Sequence, residues 1–100
     1  MEKTTNTKLL DIINMFIILV YDVNKKRVNK VLKICRKYLE RVQNSVFEGQ
    51  ITEAKLKALK NELYKHIVPK QDSVCIYKLS SLKFCGKDEI GFLRDDSKII

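Results

Sequence analysis

Residues 15–22 read MFIILVYD, from Met15 and Phe16 through Ile17, Ile18, Leu19 and Val20 to Tyr21 and Asp22. A short, continuous, mostly aliphatic run of this kind suits a central strand covered on both faces better than a helix, which would show polar positions every three or four residues. The run ends on an ionisable residue. Asp22 is therefore expected at the carboxyl end of a buried strand, where the chain turns out toward solvent.

From Lys25 to Leu39 the apolar residues Val28, Val31, Leu32, Cys35, Tyr38 and Leu39 recur at steps of three and four, which predicts an amphipathic helix. Asn24 precedes it as an N-cap candidate, and Lys26, Lys30, Lys33 and Lys37 form its solvent stripe. Arg41 to Ile51 then changes period, with a switch between Val46 and Phe47 that a strand pair or a bulged strand explains. Thr52 can cap a second helix with the apolar line Leu56, Leu59, Leu63 and Ile67, closed before Pro69. Asp72 to Leu79 is a further strand candidate.

Strand, helix, strand pair, helix and strand in this order make the split βαβ plan of a ferredoxin-like α+β domain, βαββαβ, over residues 15–100. Right-handed crossovers place both helices on one face of a single sheet. Residues 1–14 are expected to be an N-terminal extension. The tail, residues 80–100, holds apolar residues too few for a core of their own. It can add a strand to a neighbouring subunit's sheet or form a hairpin on its own.

A chain of 100 residues with 45% hydrophobic residues, 3 Gly and 1 Pro is one small globular domain, not a disordered or multidomain chain. Its 20 basic residues against 12 acidic ones give a net charge of +8, which favours an anionic partner. The apolar stretch from Leu9 to Val20 is broken by Asp11 and Asn14 and is too short to span a bilayer, so a cytoplasmic protein is expected. Cys35, Cys75 and Cys85, with His66 as the single histidine, do not make a zinc site.

Between Lys25 and Arg41 lie eight basic residues and one acidic residue, Glu40. Lys25, Lys26 and Arg27 would stand at a helix N-terminus, where positive charge is unfavourable unless an anion is bound. A phosphate there would meet helix amides together with Lys25, Lys26, Arg27, Lys30, Lys33 and Lys37, and nucleic acid is the expected partner. Asp22 stands beside this loop as a candidate ligand for Mg²⁺, which binds through one or two carboxylates and keeps much of its water. If a two-fold axis brought two copies of Asp22 together, they could share divalent ions over one phosphodiester. The alternative is a carboxylate that ends the strand by bonding backbone amides. There is no glycine-rich nucleotide loop, and Ser45 has no visible base partner.

MFIILVYD, the basic helix, RVQNSVFEG at Arg41 to Gly49 and CIYKL at Cys75 to Leu79 together resemble the CRISPR-associated protein 2 family. The resemblance implies a ferredoxin-like homodimer whose final strand crosses to the partner's sheet. It also implies a role in CRISPR adaptation, bridging the CRISPR-associated protein 1 integrase and supporting spacer DNA. Members of the family are described as metal-dependent endonucleases on RNA or DNA, using Mg²⁺ or Mn²⁺. Asp22 matches the family's metal-binding aspartate and Tyr21 its neighbour. Arg27, Arg41, Ser45 and Phe47 match positions associated with activity or its surroundings, although Phe47 suits a core position equally and Ser45 a turn. Three functions compete: a dimeric nuclease, a non-catalytic DNA scaffold, and a toxin-like ribonuclease on the same fold. The first 14 residues and the short loop from Val23 to Lys25 depart from the family pattern.

Overall fold

A computed structural model describes residues 15–80 and 83–91 of the chain. The apolar run forms strand β1 (Met15–Asp22), and it is central, with antiparallel neighbours on both edges. On one side lies β3 (Val46–Ile51), flanked by β2 (Glu40–Gln43), and on the other β4 (Ser73–Ser80), flanked by β5 (Lys83–Gly91). The sheet is therefore five-stranded and antiparallel, in the order β2-β3-β1-β4-β5. Helices α1 (Val28–Arg36) and α2 (Glu53–His66) complete an α+β fold.

Alternation along β1 decides which side of the sheet becomes the core. Ile17, Leu19 and Tyr21 point to the helices and are buried, together with Phe47 and Ile51 of β3 and Val74 and Ile76 of β4. Val31, Ile34 and Cys35 of α1 and Leu56, Leu59 and Leu63 of α2 close over them. The other face, with Phe16, Ile18 and Val20, is only half-buried in the single chain. The strand expected to be covered on both faces is thus covered by this chain's helices on one.

Helix α2 matches its sequence signals. The Thr52 hydroxyl accepts the Lys55 amide at 3.2 Å, and the helix ends at His66, three residues before Pro69. Helix α1 is shorter than its periodicity predicts. Asn24 does not cap it: its side-chain oxygen folds back to accept the Lys26 amide at 2.9 Å, and its carbonyl accepts the amides of Arg27 and Val28. Local side-chain bonding of this kind offers the backbone an alternative to helix, so Lys25–Arg27 form a turn and Arg27 takes the cap position. At the other end Tyr38 and Leu39 donate to the Cys35 carbonyl, a last turn that drops Leu39 into the core.

The tail from Lys83 to Gly91 takes the intrachain route and pairs with β4 of its own sheet. Asp88, opposite Ile76 and so on the helix face, binds Lys60 of α2 at 2.8 Å and Lys78 of β4 at 3.2 Å, which ties β5 to the layer beneath. The expected extension over residues 1–14 and the remainder of the tail, residues 92–100, lie outside the described residues.

Two glycines of β5 separate crowding from backbone strain. Gly91 has φ of +110° and a Cβ there would stand 2.2 Å from the Asp72 carbonyl oxygen, whereas Gly86 has φ of +149° and open space around it. In urea unfolding at fixed protein concentration, Gly86→Ala is expected to cost about 1 kcal/mol and Gly91→Ala clearly more, about 3 kcal/mol. Equal costs would mean that the Gly91 contact is relieved by a shift of the strand end.

Candidate metal and nucleic-acid site

The last residue of β1 pairs across the ladder with the first residue of β4, Asp22 opposite Ser73. By the same alternation that buries Tyr21, the Asp22 carboxylate belongs to the helix-free face and is exposed. Among the described residues no three His, Cys, Asp or Glu side chains converge on one point. A single exposed carboxylate fits Mg²⁺ or Mn²⁺, which keep most of their waters, and does not fit a closed tetrahedral site.

Tyr21 faces the opposite way. Its hydroxyl donates to the Asn44 carbonyl at 3.2 Å, its amide donates to the Ser45 carbonyl at 3.0 Å, and its ring stacks on Phe47 with centroids 6.1 Å apart. Burial raises the phenol's pKa, with a further push from Cys35, and the positive charges of Arg41 and Arg36 only partly offset this. Tyr21 is therefore a protonated donor at neutral pH, not a base. Arg41 wraps the same turn, with Nε to the Gln43 carbonyl at 3.3 Å and Nη2 to the Asn44 carbonyl at 3.2 Å. Ser45 is a residue of that turn, and Phe47 is fully buried in the core.

Apart from Arg27, the residues matched to the family's active centre thus fall into two groups. Tyr21, Arg41, Ser45 and Phe47 gather around the β2–β3 turn, and Asp22 stands on the other face of the sheet. The cationic residues also divide. Lys25 and Lys26 in the turn, and Lys30, Lys33 and Lys37 on α1, are exposed, with Lys37 paired to Glu62 of α2. Hydrogen bonds from Lys37 and from the Tyr38 hydroxyl hold the Glu62 carboxyl below its ordinary value. The amides of Arg27 and Val28 donate to the Asn24 carbonyl, and that of Lys30 to the Arg27 carbonyl, so these three are already bonded within the chain.

Arg27 is committed elsewhere. Its Nε lies 2.6 Å from Asp72 Oδ2, and its Nη2 lies 3.0 Å from Asp72 Oδ1 and 2.8 Å from Gln71 Oε1. Asp72 also accepts the backbone amides of Asn24 at 2.9 Å and Val68 at 2.8 Å, and it is the one buried charged residue of the described core. Burial pushes its carboxyl up, but the Arg27 bond and the two amides outweigh this and leave the pKa below its ordinary value. Sequence reasoning placed Asp72 only at the start of a strand. The available signal was an acidic residue entering a strand beside the end of another.

The family model described as CRISPR associated protein Cas2 matches residues 15–85, from the first residue of β1 into β5. The chain belongs to the Cas2 family. It is 49% identical over 77 residues to the CRISPR-associated endoribonuclease Cas2 of Dictyoglomus turgidum, covering 77% of this chain and 88% of that protein. To the protein of the same name from Thermotoga maritima it is 45% identical over 86 residues, covering 86% and 99%. A crystal structure of Streptococcus pyogenes Cas2 at pH 6.5 superposes with a TM-score of 0.61 at 40% identity, covering 66% of this chain and 87% of that one. A second Cas2 crystal structure gives 0.64 at 38% identity, covering 87% and 98%.

Two measurements test the site's internal contacts. Asp72 contributes stability that is present above the unfolded carboxyl pKa, about 3.9, and lost as pH falls through the lower folded value. Asp72→Asn is therefore expected to cost about 3 kcal/mol at pH 7 in urea unfolding, with the gap to wild type narrowing below about pH 4. A constant gap would assign the loss to packing. Tyr21→Phe removes one buried hydroxyl bond while Arg41 still serves Asn44, so a cost of about 1 kcal/mol is expected by the same method.

Proposed function

We propose that two copies of this chain pack through the helix-free face of the sheet into a ferredoxin-like homodimer that binds nucleic acid in CRISPR adaptation. The observation that carries this reading is the composition of that face. Phe16, Ile18 and Val20 of β1 sit beside Leu79, Tyr77 and Cys75 of β4 on one side and Gln50, Glu48 and Val46 of β3 on the other, and no helix of the described chain covers this row. Val20 is 36% exposed at the row's end, and Asp22 follows on the same face. An apolar β1–β4 row rimmed by Glu48 and Gln50 is a surface that a second copy covers in a self-complementary way. A two-fold axis near Val20 would set two Asp22 carboxylates at the rim of the interface. The outer edge of β5, which has β4 on one side only among the described residues, is open for the strand contact expected with the partner.

Within such a dimer, Asp22 of each protomer would hold Mg²⁺ or Mn²⁺, and the bound ion would neutralise phosphodiester charge and make its water more acidic. The chain's own residues do the rest. Lys25, Lys26, Lys30 and Lys33 contact phosphates, with Lys37 restrained by Glu62. Arg41 presents the guanidinium hydrogens left free by its two carbonyl bonds. The endoribonuclease names of the relatives support cleavage of RNA phosphodiesters as the activity; DNA as a further substrate and a cytoplasmic location complete the reading. A second reading, a scaffold that holds duplex DNA for the CRISPR-associated protein 1 integrase without chemistry, is favoured because, among the described residues, Asp22 belongs to no group of three His, Cys, Asp or Glu side chains that could hold a metal.

Val20→Lys is expected to give a folded monomer by light scattering and circular dichroism, with cleavage lost; an intact dimer would remove this face from the interface. Asp22→Ala should keep the dimer and lose divalent-ion-dependent cleavage, and undiminished cleavage by the pure variant would leave the scaffold reading. Charge reversal along Lys26, Lys30 and Lys33 should flatten the salt dependence of duplex binding by about 0.9 per lost phosphate contact. An unchanged slope would take α1 out of the nucleic-acid surface.

A further inference from the structure

We infer that Asp72 is a positioning residue for the Asp22 end of β1, acting through the turn that follows it. This rests on the reading of Asp22 as the group facing the phosphodiester. Asp22 and Ser73 are the last pair of the β1–β4 ladder, and past them the two chains part. Asp72 sits at that fork. One carboxylate gathers four donors: the Asn24 amide, the Val68 amide, and Nε and Nη2 of Arg27. Three of these come from the segment directly after Asp22, so the residue is held on one side by the ladder and on the other by Asp72. The same clamp fixes the turn that carries Lys25 and Lys26.

A strand-to-helix turn does not need this device for stability. Taking a carboxylate to 0% side-chain exposure is costly, and a packed apolar residue at such a position is often as stabilising. What the Arg27 fork and the two amides add is a fixed distance and direction, since each donor constrains a different axis. A group that must meet its copy across a dimer axis needs that restraint, because small displacements of an acting carboxylate weaken both ion binding and alignment.

The test is a Mn²⁺ titration of the full-length protein followed by NMR, reading paramagnetic broadening of the amides from Asp22 to Asn24, alongside amide exchange. Asp72→Asn and Arg27→Met are expected to raise the Mn²⁺ needed for half-maximal broadening by about tenfold or more. Exchange at Asn24–Arg27 should rise by a similar factor while Ile17 and Leu19 stay protected. Asp88→Asn, which breaks the other ion cluster of the sheet, serves as the control and should move neither. If Asp72→Asn does not fold, Arg27→Met decides, because Asp72 there keeps both amides. An unchanged titration in folded variants, or an equal change in Asp88→Asn, overturns the inference. If the wild type shows no broadening near Asp22, the metal reading of Asp22 fails. The exchange arm then decides: selective loss of protection at the turn supports the clamp, and unchanged protection overturns it.

Discussion

Strand β1 is hydrogen-bonded along both edges, and this double pairing is the constraint on which the rest of the molecule depends. A strand held on both sides cannot slip by one residue without turning every side chain to the wrong face. Its odd-numbered residues are therefore committed to the helices and its even-numbered ones to the opposite face. The sheet's core, the open apolar row and the aspartate at the row's end all follow from that alternation.

The same constraint divides the candidate site residues. Tyr21 and Asp22 are adjacent in the chain but serve opposite sides of the sheet. Tyr21 anchors the β2–β3 turn beneath the helices, where Arg41 and Ser45 are gathered around it. Asp22 stands exposed opposite Ser73, at the end of the row Phe16, Ile18 and Val20. Past Asp22 the chain enters the β1–α1 turn. That turn is the segment secured by Asp72.

Much of this was legible in the residues. The run MFIILVYD specified a central strand because five successive apolar side chains leave no polar face for a helix to expose. Helix α2 was legible to its ends, since Thr52, the line Leu56, Leu59, Leu63 and Ile67, and Pro69 act through contacts within one or two turns. Helix α1 was legible in its middle and not at its start. Asn24 bonds the Lys26 amide locally, and Arg27 is held by Asp72, a partner 45 residues away that no local pattern reveals. The basic stripe Lys26, Lys30, Lys33 and Lys37 stood out because nothing in its period demands burial, and it is exposed.

By itself, then, the sequence determined the order of elements, the alternation along β1, the second helix and the cationic character of the first, all of which rest on interactions between near neighbours. Tertiary structure alone decided that Arg27 is spent on a carboxylate 45 residues away, that β5 folds back on its own sheet, and that the Tyr21 hydroxyl anchors the β2–β3 turn. The physical reason is common to the three. Each depends on which distant backbone groups come to lie side by side once the sheet has closed, and such pairings leave no periodic trace in the chain that makes them.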